Sequence, residues 1–191
     1  MIDTQGKLLV APPNMPDWRF QKSVVYMWRH DVSGAAGVII NKKCTHPNFE
    51  HVCTEGGITK NPEVKLPVYY GGPVLTNIIG VLHSKDLQLG SSNTTNQPLA
   101  FTLDRKMLEM IAVGGGPKQK LVTLGMANWE TGQLEAELDP VPPRPKTMSW
   151  LIIPYDNDII FNTKPEEIWE LCVNRAVADK TKEITSKVFK A

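Results

Sequence analysis

The sequence predicts an α+β protein of one domain, built mainly from antiparallel strands. Three observations predict this class. Short apolar runs bounded by Gly, Pro and polar residues outnumber the helical patterns, and these predicted strands come mostly before the helices instead of alternating with them. Of the 191 residues, 41% are hydrophobic and 21% are charged, which suffices for a core without disulfides or metal. We expect the domain to cover residues 1–177 and a lysine-rich tail to cover residues 178–191.

The clearest strand signals lie near the N-terminus. Residues 8–11 form a short apolar run that ends at two prolines. In residues 23–29 both alternating sets are apolar, which predicts a strand covered on both faces. A turn at Ser33 and Gly34 should join this strand to residues 36–40 as a hairpin. Further strands are predicted at residues 67–70, 78–82, 99–102, 120–124 and 150–153, with an exposed polar loop at residues 84–98.

Helices are fewer. Asp104 is predicted to cap a helix with Met107, Leu108 and Ile111 on its buried face, and the glycines at 114–116 should end that helix. Shorter helical patterns lie at residues 47–53 and 130–138.

The longest helix is predicted after Thr163. Thr163 and Glu166 have the spacing of a capping box, with Pro165 in the first turn. The buried stripe of this helix is predicted to contain Ile168, Leu171, Cys172 and Ala176. In the tail, Ile184 and Val188 are one turn apart, which indicates a weakly docked helix or a frayed end.

Charge and cysteine content restrict the function classes. With 21 basic and 20 acidic residues the net charge is +1 and the pI is about 7.7, so nucleic acid and anionic membranes are not default partners. No apolar run approaches the ~20 residues of a membrane-spanning helix. The N-terminus has no secretory-signal pattern, and the three cysteines have no disulfide-framework spacing. We therefore expect a cytoplasmic protein without a membrane partner.

One cluster has the residue types of a zinc site. Cys44, His46, His51 and Cys53 could all bind the metal, but ten consecutive residues would have to supply the whole set. Structural zinc sites usually take their second ligand pair from another element. We expect surface histidines and a half-buried thiol here, and no metal or other cofactor in the protein.

Other short motifs predict turn chemistry. The glycine run at 114–116 lacks the other residues of a Walker loop, and Gly34 and Gly37 do not form a dinucleotide fingerprint. Residues 156–158 resemble the start of a calcium loop but lack its Gly and closing Glu, so a tight polar turn is expected. No nucleophile elbow or zinc-protease motif is present. Trp129 lies in a polar, glycine-containing segment, where it could be a lid over the core or an exposed anchor.

Four blocks together resemble the YqgE/AlgH family of bacterial proteins, and they extend over about residues 6–175. The blocks are residues 8–13 with Asp17, Phe20, 23–26 and His30; residues 34–41; residues 70–74 with 81–83; and residues 121–125 with Ala127, Trp129, 132–135, Glu137, Trp150, Leu151, Phe161 and Trp169.

The resemblance implies a branched sheet that curls into a barrel-like core with flanking helices. One name of the family refers to a link with the control of alginate production, and some members are labelled transcriptional regulators, so the resemblance also implies a regulatory role. No helix-turn-helix pattern or basic recognition helix accompanies it, so direct DNA reading is not expected. Family members commonly carry a cysteine where this chain has Trp28, and tryptophan cannot take over a thiol-based role.

We expect a binding or regulatory protein, without enzymatic activity, for an unidentified small molecule or protein. Its site would use polar or flexible residues of the family blocks at predicted strand ends: His30, Asn41, Gly71, Gly72, His83, Trp129, Gln133 and Glu135. The alternative is that these residues have structural roles in turns and on the surface.

Two other functions remain open at this point. An enzyme would need an acid–base pair such as His83 and Glu135 within hydrogen-bond reach in a cleft. A nucleic-acid-binding regulator would need its basic residues gathered on one face, including those of residues 180–190.

Overall fold

A computed structural model describes residues 2–87, 89–90, 97–140 and 149–188. Part of the loop predicted at residues 84–98 lies outside these ranges, and so do the side chains of Ile184 and Val188. The described strands are β1 (Leu8–Val10), β2 (Val24–Asp31), β3 (Gly34–Ile39), β4 (Val68–Tyr70), β5 (Val74–Ser84), β6 (Leu99–Thr102), β7 (Lys120–Trp129) and β8 (Leu151–Ile153). The described helices are α1 (Phe49–Glu55), α2 (Arg105–Ala112), α3 (Gln133–Leu138), α4 (Asn157–Phe161) and α5 (Pro165–Val188).

The strands form one mixed sheet in the order β6-β5-β7-β3-β2-β1-β8. These neighbours pair antiparallel, which confirms the predicted class. β4 branches from the sheet and pairs parallel to β7. Among the described strands the two ends, β6 and β8, do not pair with each other, so the sheet is not closed and the barrel-like core implied by the family resemblance is not confirmed.

Both faces of the central strands are covered, as the doubly apolar pattern of residues 23–29 predicts. Val24 and Tyr26 pack on one side, with α4 and α5, whereas Val25 and Met27 pack on the other side, with Trp129 and Trp150. A third cluster joins α1 and α2 to the far half of the sheet. The β2–β3 hairpin turns at Gly34, whose φ of 125° suits glycine.

The helices correct three predictions. Thr163 does not cap α5, because the helix begins at Pro165 and the Thr163 hydroxyl donates to the carbonyl of Asp158 instead. Leu171 is 45% exposed and does not belong to the buried stripe. Residues 156–158 are the start of α4 and not merely a turn, since the Asp156 carboxylate accepts from the first amides of that helix.

The boundary predicted between residues 177 and 178 falls inside α5, which continues as a helix through it. None of the helices in the described ranges is long and apolar enough to cross a membrane.

Candidate functional site

A cavity of about 500 Å³ lies where five separate segments of the chain meet. It is lined by the loop around residues 15–20, by Pro73 and Val74 before β5, by the end of β7, by one face of α3, and by Trp150. We call it the aromatic cavity. Its volume lies within the range of about 300–1,000 Å³ that is usual for small-molecule sites.

Three aromatic side chains pack together at this cavity. The ring centroids of Phe20 and Trp150 are 5.5 Å apart, those of Trp129 and Trp150 are 5.9 Å apart, and both pairs meet edge to face. Phe20 and Trp129 lie 6.1 Å apart. Trp129 is only 3% exposed, so it covers the core and is not an exposed anchor. The three rings form a rigid apolar wall.

Glu137 on α3 gathers the polar groups of this wall. Its Oε2 accepts hydrogen bonds from the indole N–H of Trp129 at 3.0 Å and of Trp150 at 2.8 Å. Its Oε1 accepts from Gln133 Nε2 at 3.0 Å, one helical turn away. The amide oxygen of Gln133 in turn accepts from the backbone N–H of Glu130. This one carboxylate therefore ties β7, α3 and the segment before β8 together.

The rim of the cavity carries an ion pair between Asp17 and Arg19, which are two residues apart in the sequence. Arg19 Nη2 lies 2.6 Å from Asp17 Oδ2, and Arg19 Nε also donates to the carboxylate. The Arg19 guanidinium holds the pKa of Asp17 below its ordinary value. The two charges neutralise each other within the loop.

Gly71 and Gly72 lie next to the cavity, but their role is to let their own backbone pass close to the backbone of β7. A Cβ at Gly71 would lie 2.2 Å from the carbonyl oxygen of Gly125, and one at Gly72 would lie 2.3 Å from the carbonyl carbon of Met126. Gly72 also has a φ of 149°. The glycines thus let the chain cross β7 closely, and this crossing places Pro73 at the cavity.

His30 and Glu135 form a second polar cluster, outside the lining of the aromatic cavity. His30 Nδ1 lies 3.3 Å from the backbone nitrogen of Thr4 and 2.9 Å from the Thr4 hydroxyl oxygen, and its Nε2 lies 3.1 Å from Glu135 Oε1. The Glu135 backbone amide, followed by the His30 ring, lowers the pKa of Glu135. This buried histidine joins the N-terminal segment, β2 and α3.

Asn41 stabilises the entry to β2. Its side-chain oxygen accepts from the backbone N–H of Val24 at 2.8 Å, and its amide donates to the carbonyl of Lys22 at 2.9 Å. Both bonds close the loop that contains Lys22, whose φ of 53° is left-handed. The geometry gives Asn41 a structural role.

His83 does not meet the other predicted site residues. It pairs with Lys120, the first residue of β7, whereas Glu135 follows the last residue of that strand. At about 3.3 Å per residue, the ten residues of β7 extend for roughly 30 Å. His83 Nδ1 donates to the carbonyl of Ser84, and burial lowers the pKa of His83. The geometry does not support an acid–base pair of His83 and Glu135.

In the zinc-like cluster, the side chains on α1 lie where the helical pattern at residues 47–53 predicts them. Cys53 is buried on α1 and His51 is exposed, with its ring centroid 4.5 Å from that of His46. Burial raises the pKa of Cys44 and of Cys53, which disfavours the thiolate that zinc requires. Within the described ranges, no group of three or more His, Cys, Asp or Glu residues is placed to hold a metal ion.

Of the eight predicted site residues, the structure places Trp129 and Gln133 in the lining of one cavity. Glu137 and Trp150 were missing from the predicted site, although both occur in the family blocks. The spacing of Gln133 and Glu137, four residues apart on a predicted helix, was an available signal. Trp150 gave none, because its place depends on the pairing of β8 with β1.

Comparison with known proteins shows that this chain is similar to a family of bacterial proteins over most of its length. The family model described as AlgH-like matches residues 8–180. A UPF0301 protein of Methylococcus capsulatus is 33% identical over 174 residues, which are 91% of this chain and 92% of the relative. A UPF0301 protein of Ralstonia nicotianae is 37% identical over 169 residues, covering 87% of this chain and 84% of the relative.

Two solved structures are similar over most of the chain. The solution structure of the AlgH protein from Pseudomonas aeruginosa matches with a TM-score of 0.72 and 34% identity, covering 89% of this chain and 87% of that one. A crystal structure of a protein from Corynebacterium diphtheriae matches with a TM-score of 0.63 and 18% identity, covering 92% and 88%. The second likeness concerns the fold alone.

Proposed function

The chain belongs to the AlgH-like family, and we propose that it is a binding protein without catalytic activity that takes a small ligand into the aromatic cavity. One observation carries the proposal. Segments far apart in the sequence converge on a cavity of about 500 Å³ with a packed aromatic wall and a small number of fixed polar groups. That combination is typical of ligand-binding sites.

The bonding of the polar groups supports binding over catalysis. Asp17 is paired with Arg19, and Glu137 accepts from two indoles and from Gln133. These bonds fix the walls. Among the described residues of the lining, they leave no activated nucleophile beside a base of the kind that acyl or phosphoryl transfer requires. Because the wall is already ordered, a ligand that binds to it does not incur the entropic cost of ordering these side chains.

We also propose that the protein works in a reducing compartment such as the cytoplasm. Cys44, Cys53 and Cys172 are free. Burial raises the pKa of Cys172 to about 12, so this thiol is held in its unreactive form.

The test of binding uses a neutral aromatic probe, 2-phenylethanol, and saturation-transfer NMR. Val74 lines the cavity and is 38% exposed, so Val74→Trp fills the opening without removing any part of the aromatic wall. We expect saturation transfer to the probe with the unaltered protein and its loss in Val74→Trp.

The matched control is Val32→Trp. Val32 lies at the β2–β3 turn, is 78% exposed, and does not line the cavity. This variant should bind the probe as the unaltered protein does. Probe binding that survives Val74→Trp, or no binding to any of the three proteins, would contradict the proposal.

A further inference from the structure

We infer that the aromatic cavity selects a ligand carrying a positive charge on an apolar body, that is, an organic ammonium compound. The inference rests on the proposed function and names the ligand class of the same site. It depends on the charges that line the cavity and on the chemistry of the rings beside them.

Three ionic side chains are among the described residues that line the cavity. Asp17 and Arg19 form an ion pair at 2.6 Å and together contribute no net charge. Glu137 has no such partner: within the described part of the chain, no Lys, Arg or His lies within 4.0 Å of its carboxylate. The three groups that donate to it are two indole N–H groups and an amide, all of them neutral. The described lining residues therefore carry a net charge of about −1 at neutral pH.

Neutral donors stabilise a carboxylate without cancelling its charge. A cationic guest near Glu137 would supply the missing countercharge, whereas an anionic guest would meet a fixed negative charge in a partly enclosed site. The charge therefore favours a cation and disfavours an anion.

The aromatic wall acts in the same direction. Phe20, Trp129 and Trp150 lie within 6.1 Å of one another, so a guest entering beside Glu137 also lies beside aromatic rings. Aromatic rings attract cations through their quadrupole, and tryptophan does so most strongly. The apolar area of the same rings suits a hydrocarbon or aromatic body attached to the charge. A compact inorganic cation would gain little from this wall.

The experiment compares three probes of one shape by isothermal titration and saturation-transfer NMR: 2-phenylethylammonium, 2-phenylethanol and 3-phenylpropanoate. On the unaltered protein we expect the ammonium to bind about tenfold more tightly than the alcohol, and the carboxylate to bind most weakly. Raising the NaCl concentration should reduce the difference between the ammonium and the alcohol, because salt screens the attraction.

The decisive variant is Glu137→Gln, which removes the charge and keeps a carbonyl oxygen for the two indoles. We expect the ammonium to lose its advantage over the alcohol, read as the ratio of the two affinities within this one variant, because the amide that replaces the carboxylate carries no charge. The matched control, Glu130→Gln, removes the same charge from an exposed side chain outside the lining and should keep the preference.

The outcomes separate the inference from the proposed function. Equal binding of the ammonium and the alcohol, both lost in Val74→Trp, would overturn the inference and leave the proposed function standing. A preference that persists in Glu137→Gln would also overturn the inference. Failure of all three probes to bind would overturn both. If Glu137→Gln does not fold, as judged by thermal unfolding, the three-probe comparison on the unaltered protein decides alone.

Discussion

Single residues in this protein derive their roles from contacts that local sequence does not display. Gly71 and Gly72 stand out in the sequence as places where a ligand or a neighbouring backbone could come close. The structure shows the backbone of β7 there, with the carbonyl oxygen of Gly125 at 2.2 Å from the position of a Gly71 Cβ. The two glycines therefore shape the cavity only indirectly, by setting where the chain continues at Pro73.

Gly71→Ala should destabilise the fold. The new methyl group would press on the backbone of β7, which cannot move without breaking the pairing of β4 and β5 with that strand. We expect a loss of about 2–3 kcal/mol in the free energy of unfolding, measured by urea denaturation. Gly90→Ala is the control, because a Cβ there would meet none of the described residues within 4 Å. Equal stability of the two variants would contradict this account of Gly71.

Part of the candidate site follows from sequence alone. Trp129 and Gln133 are predicted site residues that line the cavity, and Gln133 reaches Glu137 through helical spacing. His30 and Glu135 are predicted and do meet, but away from the cavity. The contribution of Trp150 could not be predicted, since it requires the register of β8 on β1. Periodicity identifies elements, whereas long-range pairing decides which of their ends meet.

At the scale of elements, every predicted strand exists, and the errors concern ends and caps. β7 continues to Trp129, five residues beyond its predicted end at residue 124, because its second half pairs with β3. Local propensity does not show this extension, since Gly125 interrupts the pattern. The residues from Asp156 to Asp158 show the converse case: a polar triplet fits a turn, but Asp156 is also a good helix N-cap. The apolar Ile159 and Ile160 that follow, both buried, also favour the helix.

The cap of α4 also fastens α5. The Asp156 carboxylate accepts from the backbone N–H of Asp158 and Ile159, and Arg175 of α5 donates to it at 2.6 Å. Asp156→Ala removes both the cap and the ion pair and should lower the free energy of unfolding by about 1–2 kcal/mol. Most of this loss should come from the cap, because an ion pair whose side chains are about one-third exposed contributes little. Asp156→Asn keeps a capping oxygen and should cost about half as much or less.

The same pair gives a pH dependence of defined sign. The Arg175 guanidinium holds the pKa of Asp156 below its ordinary value, so the contribution is complete above about pH 4 and declines as the pH falls through the lowered pKa. Urea denaturation between about pH 2.5 and pH 7 covers the usual pKa of an aspartate. The difference in unfolding free energy between the unaltered protein and Asp156→Asn should become smaller as the pH falls through this range. A difference that stays constant over this range would contradict the role of the charge.

At the scale of the whole molecule, α5 connects a packed half to a half whose described side chains are exposed. Ile168, Cys172 and Ala176 are buried against the sheet, and the Trp169 indole donates to the carbonyl of Ala11 at 2.8 Å. From residue 177 onward, the described side chains are exposed. The helix nevertheless continues to Val188 without a break. We therefore propose that the stable unit ends near residue 177, inside a helix and not at a linker.

Two truncations test this boundary by thermal unfolding. A chain ending at residue 177 keeps every residue of α5 that is buried among the side chains the structure describes. Its Tm should therefore stay within about 2 °C of the full chain, a change of less than about 1 kcal/mol. A chain ending at residue 166 loses Ile168, Cys172 and Ala176 and exposes the face of the sheet that they cover. Its Tm should fall by about 10 °C or more, because burial of large aliphatic side chains contributes several kcal/mol. A large fall in the longer chain would show that residues 178–191 stabilise the fold, and the stable unit would then extend beyond residue 177.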